Sequence, residues 1–508
     1  MLKIGWSIKD VSTDKPVCIP GQMHMRISQG VLDSMSVTAL TIADDKDYAI
    51  FLCCDLVGVE GGILDAIRER VSRKNPQIDP LKVIMHVTHS HCGPHISMGD
   101  GFGCWGEVGE VPMGGMEVTP PTEYREFFLD SAADAIVESF QNQQEGSIAY
   151  GYGYAVVAHS RRAVYFDNLS DRPGHRRGDS IMIDGHAKMY GNTNDDMFSH
   201  YEAGADPYAN FLFTFDKEEK LTGAIVNIPC PSQNSEGEWL LSADYWHEVK
   251  EQLKETYGDI FVLPQCAAAG DLSPRTLHYH AAQDRRYRLK YEGYQADPRL
   301  RSPREMLNRK DIANRICEAF QEVYGWASKE KFTDLQVVHS VKIIQLDRRL
   351  VTEEEYAFCC REKEQAHQDL VFISKGEPIE IEVHNTRAAA ATHRYDEVIA
   401  RYHAQKENPK RPTEVHIVKV GDIAFATNPF ELYMDYQHRI QARSPFVQTF
   451  VVQLAAQPDN LNNGTYLCTE RGAWGMGYSA TVFCNAVSPA GGQQLVEETV
   501  AELKKLYT

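Results

Sequence analysis

Short apolar runs recur along the chain with amphipathic stretches between them, and this order constrains the fold more than any other feature. Residues 49–54, 82–87, 223–228, 260–263, 337–346, 414–420, 423–427 and 447–454 read as buried strands, because each is short, apolar and bounded by polar or turn-forming residues. Helical periodicity marks 62–72, 123–141, 245–256, 311–324, 353–368, 392–405 and 492–506. Repeated strand-then-helix order predicts an α/β or mixed α+β enzyme. No repeat or low-complexity linker divides the sequence, so residues 1–508 read as one catalytic domain.

Composition narrows the function. A net charge of −19, from 52 basic and 71 acidic residues, excludes a general affinity for nucleic acid. It also opposes docking on anionic membranes. The 12 cysteines fall at irregular spacings, with adjacent pairs at Cys53-Cys54 and Cys359-Cys360, unlike a disulfide framework. The start, Met1 to Ser7, lacks the apolar stretch of a signal peptide. The longest apolar run, 49–59, is broken by Asp55 and is too short to span a bilayer. The expectation is a cytoplasmic enzyme with reduced thiols that acts on a small molecule or oligosaccharide. A homo-oligomer is compatible with it; a stable membrane anchor is not.

The strongest local signal is His86-Val87-Thr88-His89-Ser90-His91-Cys92-Gly93-Pro94-His95, which holds four of the 19 histidines. Imidazole is the commonest metal ligand, and histidines two apart on an extended strand share a face. A lone histidine is usually structural, but this density favours a metal or catalytic site at His89 and His91. Gly270-Asp271-Leu272-Ser273-Pro274-Arg275 reads by itself as a tight turn with a capping Ser. Glu431, in Asn428-Pro429-Phe430-Glu431-Leu432, suits either a metal or a helix N-terminus. Tyr466 and Tyr478 alone would be core or interface residues.

Two further features read as bland. Gly101-Phe102-Gly103-Cys104-Trp105-Gly106 is a literal GxGxxG, yet it neither follows a strand nor opens a helix; it reads as a loop able to cover a site. The arginine-rich stretch 284–310 reads as a solvated helical face, with a basic rim for a carboxylate or phosphate as the sharper reading.

In this order the motifs resemble the neutral, non-lysosomal ceramidase family. That family carries Thr-His-Thr-His-Ser-x-Pro, matched by Thr88-His89-Ser90-His91-Cys92-Gly93-Pro94. Its Gly-Asp-Val-Ser-Pro resembles residues 270–274, and its Pro-x-Glu resembles Pro429-Phe430-Glu431. Its Tyr-x-x-Thr-x-Glu, followed by a second Tyr, resembles Tyr466-Leu467-Cys468-Thr469-Glu470 and then Tyr478. Its Asn-Arg-Ser is loosely echoed by Ser160-Arg161-Arg162. The resemblance implies a ceramidase-like catalytic domain with no room for the family's C-terminal immunoglobulin-like domain. It implies zinc, or another divalent metal, held by His89, Glu431 and Tyr466. His91, Arg161 and Tyr478 would surround the scissile carbonyl, with Ser273 as nucleophile beside Asp271, or a metal-activated water in its place.

One ligand departs from the pattern. Where the family has its second zinc histidine, this chain has Val226-Asn227-Ile228-Pro229-Cys230-Pro231-Ser232-Gln233. Cys230 aligns with the missing ligand, and a thiolate binds zinc well. Two other readings stay open: Cys230 is a small buried hydrophobe, or the alignment shifts to Pro231 and His91, Gln233 or Glu236 rebuilds the site. Ceramide itself fits an acidic, anchorless chain poorly. An amide or ester of a polar or sugar-containing substrate fits better, with a metal-assisted lyase of uronate glycans and a metal-free sugar-binding relative as alternatives.

Overall fold

The computed structural model describes all residues except 106–109, 175–183 and 462–463. Two sheets face each other across an apolar core, and helices cover their outer faces. The larger sheet uses β1 (Lys3–Asp10), β2 (Ser36–Ala43), β3 (Tyr48–Cys54), β4 (Val83–Val87), β5 (Gln144–Tyr154), β6 (Tyr208–Asp216), β7 (Leu221–Ile228) and β8 (Phe261–Cys266). Their order across the sheet is β8-β7-β6-β5-β1-β2-β3-β4. The second sheet runs β9 (Val337–Asp347), β10 (Lys410–Val420), β11 (Ile423–Thr427) and β12 (Gln448–Val452) in sequence order.

Most neighbours are antiparallel, but three pairs are parallel: β3 with β4, β7 with β8, and β11 with β12. Parallel pairs need a crossover, and helices supply it. These are α1 (Ile63–Lys74) between β3 and β4, α3 (Tyr245–Tyr257) between β7 and β8, and α8 (Met434–Arg443) between β11 and β12. The carboxyl ends of such strands are where open α/β sheets gather their ligands, and every site segment described below leaves one of these pairs or abuts it.

Between the sheets lie Leu40, Phe51, Ile84 and Leu263 from the first and Val418, Phe425 and Phe450 from the second. Helices α1 and α2 (Pro121–Gln141) cover one half of the large sheet, through Ile67, Val71, Phe128 and Ile136. Helices α3 and α5 (Pro303–Ala327) cover the other half, through Trp246, Val249, Ile316 and Phe320. Helices α8 and α9 (Pro489–Tyr507) cover the second sheet.

The arginine-rich stretch spans α4 (His280–Lys290) and the start of α5. Its charges are largely paired: Arg286 and Lys290 meet the buried Asp311, and Arg309 is enclosed by Asp33 and Glu248. The bland reading therefore describes most of it. Helix α6 (Glu353–Asp369) opens on a capping box between Thr352 and Glu355. Helix α7 (Pro378–Glu407) is twice the length its sequence pattern suggests. No described helix is long and apolar enough to cross a membrane. Every cysteine whose side chain is described is a free thiol.

Candidate active site

The site begins where β4 stops. Beyond Val87 the chain keeps pairing with the segment after β3, through Thr88 N to Cys54 O (3.0 Å) and Ser90 N to Leu56 O (2.9 Å). Between them His89 adopts φ 63°, a left-handed conformation rare for a side-chain-bearing residue. Such strain costs on the order of 1–3 kcal/mol and persists only where the surroundings impose it. Here the imidazole is anchored: Nδ1 donates to Val57 O at 2.6 Å. The two rings do meet, through this turn rather than through strand alternation, with Nε2 of His89 3.3 Å from Nε2 of His91.

The other walls come from the remaining parallel pairs. After β7 the chain crosses to the histidine segment, where His91 N donates to Ser232 O at 3.1 Å, and it presents Gln233 and Glu236. After β11, Glu431 and Leu432 pair in parallel with Tyr466 and Leu467. Glu431 Oε2 lies 3.4 Å from His89 Nε2. Arg161 follows His159 and Ser160, which pair with Leu272 and Ser273. Its guanidinium donates to Tyr466 OH (3.1 Å), Gly270 O (2.8 Å) and Gln233 Oε1 (3.2 Å). The result is a cavity of about 540 Å³ lined by His89, His91, Arg161, Glu431, Tyr466 and Tyr478, among others.

Three predicted residues lie outside this cavity. Cys230 has no exposed surface and sits in the apolar cluster under α3 and α5. Burial, then the neighbouring Cys266, pushes its thiol well above the ordinary range. The backbone turns at Pro229, so Cys230 points into the core and Gln233, three residues on, reaches the cavity. Ser273 is also fully enclosed, its Oγ accepting from Tyr190 OH (3.4 Å) and Arg275 N (3.2 Å). Asp271 accepts from Met434 N at 3.0 Å, and burial raises its carboxyl to about 6. The Gly-Asp-Leu-Ser string thus braces Arg161 and Glu431 from behind.

Val57 O only accepts, so His89 carries a proton on Nδ1 and turns Nε2 inward. His91 Nδ1 faces Glu236 Oε2 at 3.4 Å without a hydrogen bond to it. Burial holds His91 well below the usual histidine range, so it is neutral. Burial pushes the Glu431 carboxyl up, but His89, Arg161 and Tyr466 outweigh this and leave it low. Two imidazole Nε2 atoms and a carboxylate therefore face the same cavity, with Arg161 Nη2 3.6 Å from Glu431.

That donor set suits zinc. A tetrahedral centre with bonds of about 2.0–2.1 Å separates its donors by about 3.3–3.4 Å, and the His89–His91 and His89–Glu431 separations are 3.3 and 3.4 Å. The carbonyl on His89 Nδ1 is the kind of outer partner that orients a metal-binding imidazole. Among the described residues no three His, Cys, Asp or Glu side chains close fully on one point. The match is therefore of donor type and of these two edges, with Tyr466 as a donor of another kind.

No protein-family model and no curated protein sequence matches the chain. Solved structures do. Neutral ceramidase from Pseudomonas aeruginosa superposes with a TM-score of 0.63 at 15% identity, over 99% of this chain and 75% of that one. A ceramidase complexed with C2 gives 0.61, also at 15% identity and with the same coverage. The chain has a ceramidase-like fold.

Within this ceramidase-like fold the site uses residues that no sequence motif marks. Tyr190, at φ 53°, lines the cavity and accepts from Gln233 Nε2 at 2.7 Å. Arg26, nearly without exposed surface, donates to the carbonyls of Pro20, His91, Glu236 and Glu238 at 2.6–2.8 Å. It ties both cavity walls together through backbone atoms, which carry no side-chain signature. Glu236 pairs with Arg275. Of the other clustered histidines, His86 is buried in the core and His95 faces Glu60. Phe102 and Trp105 of the glycine-rich loop pack with Cys18, Met25 and Ile27, outside the cavity.

Proposed function

We propose that the cavity is the active site of a zinc-dependent hydrolase of an amide bond, or of the analogous ester, in a small polar or sugar-containing substrate. The observation that carries this reading is the inward pair of Nε2 atoms, 3.3 Å apart, with Glu431 3.4 Å from the His89 nitrogen, a donor set of the type that binds zinc. The ceramidase-like fold supports it. His89, His91, Glu431 and Tyr466 would hold the metal. Bound zinc supplies Lewis acidity, polarising a carbonyl and acidifying a water.

The chain's own groups complete the reaction. Arg161 and Tyr478 line the same cavity and donate hydrogen bonds to the oxygen that gains charge when the carbonyl is attacked. Glu236, on the cavity wall between His91 and Arg275, accepts the proton released by the attacking water and returns it to the departing nitrogen or oxygen. Gln233 and Tyr190 orient the polar part of the substrate. Water is consumed, and an acid plus an amine or alcohol leave.

The test is turnover of a panel of N-acyl amides, acyl esters and uronate glycosides, with and without a chelator. Release of free acid, lost on chelation and restored by zinc, is expected. Ultraviolet absorbance growing from a uronate glycoside, with no acid released from any amide, would overturn the hydrolase in favour of a lyase.

A further inference from the structure

A second cavity of about 650 Å³ opens from the first. The two share Glu431, Tyr466 and Tyr478 on one side and Gln22 and Met23 on the other. The floor of this groove is one face of α7: Arg387, Ala390, Ala391 and Arg394 fall at i, i+3, i+4 and i+7 and so lie in a row. Phe483 forms part of the wall, with the Arg394 guanidinium 4.4 Å from its ring centroid. The surface is apolar along its length, with a guanidinium at each end of the alanine floor.

Many arginines elsewhere meet carboxylates: Arg162 with Glu202, Arg172 with Asp167 and Asp195, Arg443 with Glu497. Among the described residues Arg387 and Arg394 form no ion pair, although the chain carries a net charge of −19. Arg387 Nη2 contacts only the imidazole of His24, at 3.3 Å. Glu397 lines the groove one turn further along α7, yet makes no ion pair with Arg394. His24 is held down to about 4 by burial, then by Arg387, Arg26 and Arg301, as expected beside an uncompensated positive field. Arginine forks bind carboxylates in a bidentate manner, and they gain most where no protein carboxylate competes.

We infer that the groove binds the acyl part of the substrate and that this acyl part carries a carboxylate, received by Arg387 or Arg394 at one end of the apolar floor. The inference rests on the hydrolase reading of the adjoining cavity and names its substrate class: an amide or ester of an ω-carboxylated acyl chain.

The test compares two aminomethylcoumarin amides, octanedioyl (free acid at its far end) and octanoyl, with calorimetric binding of octanedioate and octanoate alongside. The acid-ended amide should show at least about tenfold higher kcat/KM, mostly through KM, and the preference should shrink in high salt. In the Arg387→Ala/Arg394→Ala double variant the ratio should fall toward one, and the Arg387→Lys/Arg394→Lys variant should restore part of it. A ratio near one in the native protein, or one unchanged in the double variant, overturns the inference. If neither amide is cleaved, the hydrolase reading fails, and calorimetry still decides the groove. Octanedioate binding that exceeds octanoate and is lost in the double variant upholds the anion site, and equal binding of the two acids overturns it.

Discussion

Tyr190 stands between Ser273 and the cavity: its hydroxyl donates to Ser273 Oγ at 3.4 Å, and Ser273 itself has no exposed surface. We expect a hydroxyl so placed to position Tyr190 rather than to attack a substrate. Ser273→Ala should therefore lower turnover by less than about tenfold, whereas loss of a true nucleophile costs about a million-fold. Mass spectrometry during turnover should find no acylated protein. An acyl adduct that disappears with Ser273→Ala would contradict this placement.

Gly270 lies directly against the backbone of Glu431, and a Cβ there would overlap the Glu431 carbonyl and crowd Leu432. Backbone atoms on both sides cannot swing away as a side-chain tip would. Gly270→Ala should displace Glu431 and loosen Arg161, which bonds to Gly270 O. Overpacking of this kind costs about 1–3 kcal/mol. The variant should fold with a lowered Tm and lose at least about tenfold in kcat/KM; native kinetics would show that Gly270 has no such bracing role.

Stability should fall on the acid side for a reason remote from the site. His339 Nε2 meets His416 Nδ1 at 2.9 Å, His416 Nε2 meets Glu414 Oε1 at 3.0 Å, and Arg68 donates to the same oxygen at 2.9 Å. Burial, then His416, holds His339 well below the usual histidine range, and burial lowers His416 despite Glu414. Glu414, which burial would raise, is brought to about 2 by His416 and Arg68. In the unfolded chain the histidines take up protons below about pH 6.5, while the folded chain does not. Stability is thus present above that pH and declines below it, by about 1.4 kcal/mol per pH unit for each histidine kept neutral. Glu414 adds to the loss as pH falls from about 4.5 toward 2. Denaturant titrations from pH 8 to 5 should show this decline, and His339→Gln should flatten it. An unchanged slope in the variant would exclude His339 as a source.

The site was legible where chemistry depends on side-chain type and fixed spacing. His89, His91 and Glu431 lie on strings that resemble the family's closely, Arg161, Tyr466 and Tyr478 on strings that resemble it loosely, and all six line one cavity. Cys230 and Gln233 could not be told apart, because a single Pro229 turn decides which of them faces the cavity. Arg26 and Tyr190 act through backbone carbonyls and a strained φ, neither of which leaves a residue pattern. In the fold, apolar runs located β3, β4, β7 and β11. Strand β5 was missed because Gly151 and Gly153 dilute its apolar pattern, and those glycines are there because Trp326 and Val323 of α5 pack against them. The first half of α7 was missed because Ile379-Glu380-Ile381-Glu382-Val383 alternates like a strand. The groove with its two arginines lies on this long helix.

Whether His89, His91, Glu431 and Tyr466 form a metal centre is decided most directly by the zinc content of the purified protein and its variants. About one zinc per chain is expected, lost in His89→Ala and in Glu431→Gln and retained in Cys230→Ala, whose thiol is sealed in the core. A native protein that binds no zinc when titrated with it, or one that keeps its metal without His89 and loses it without Cys230, would contradict the account.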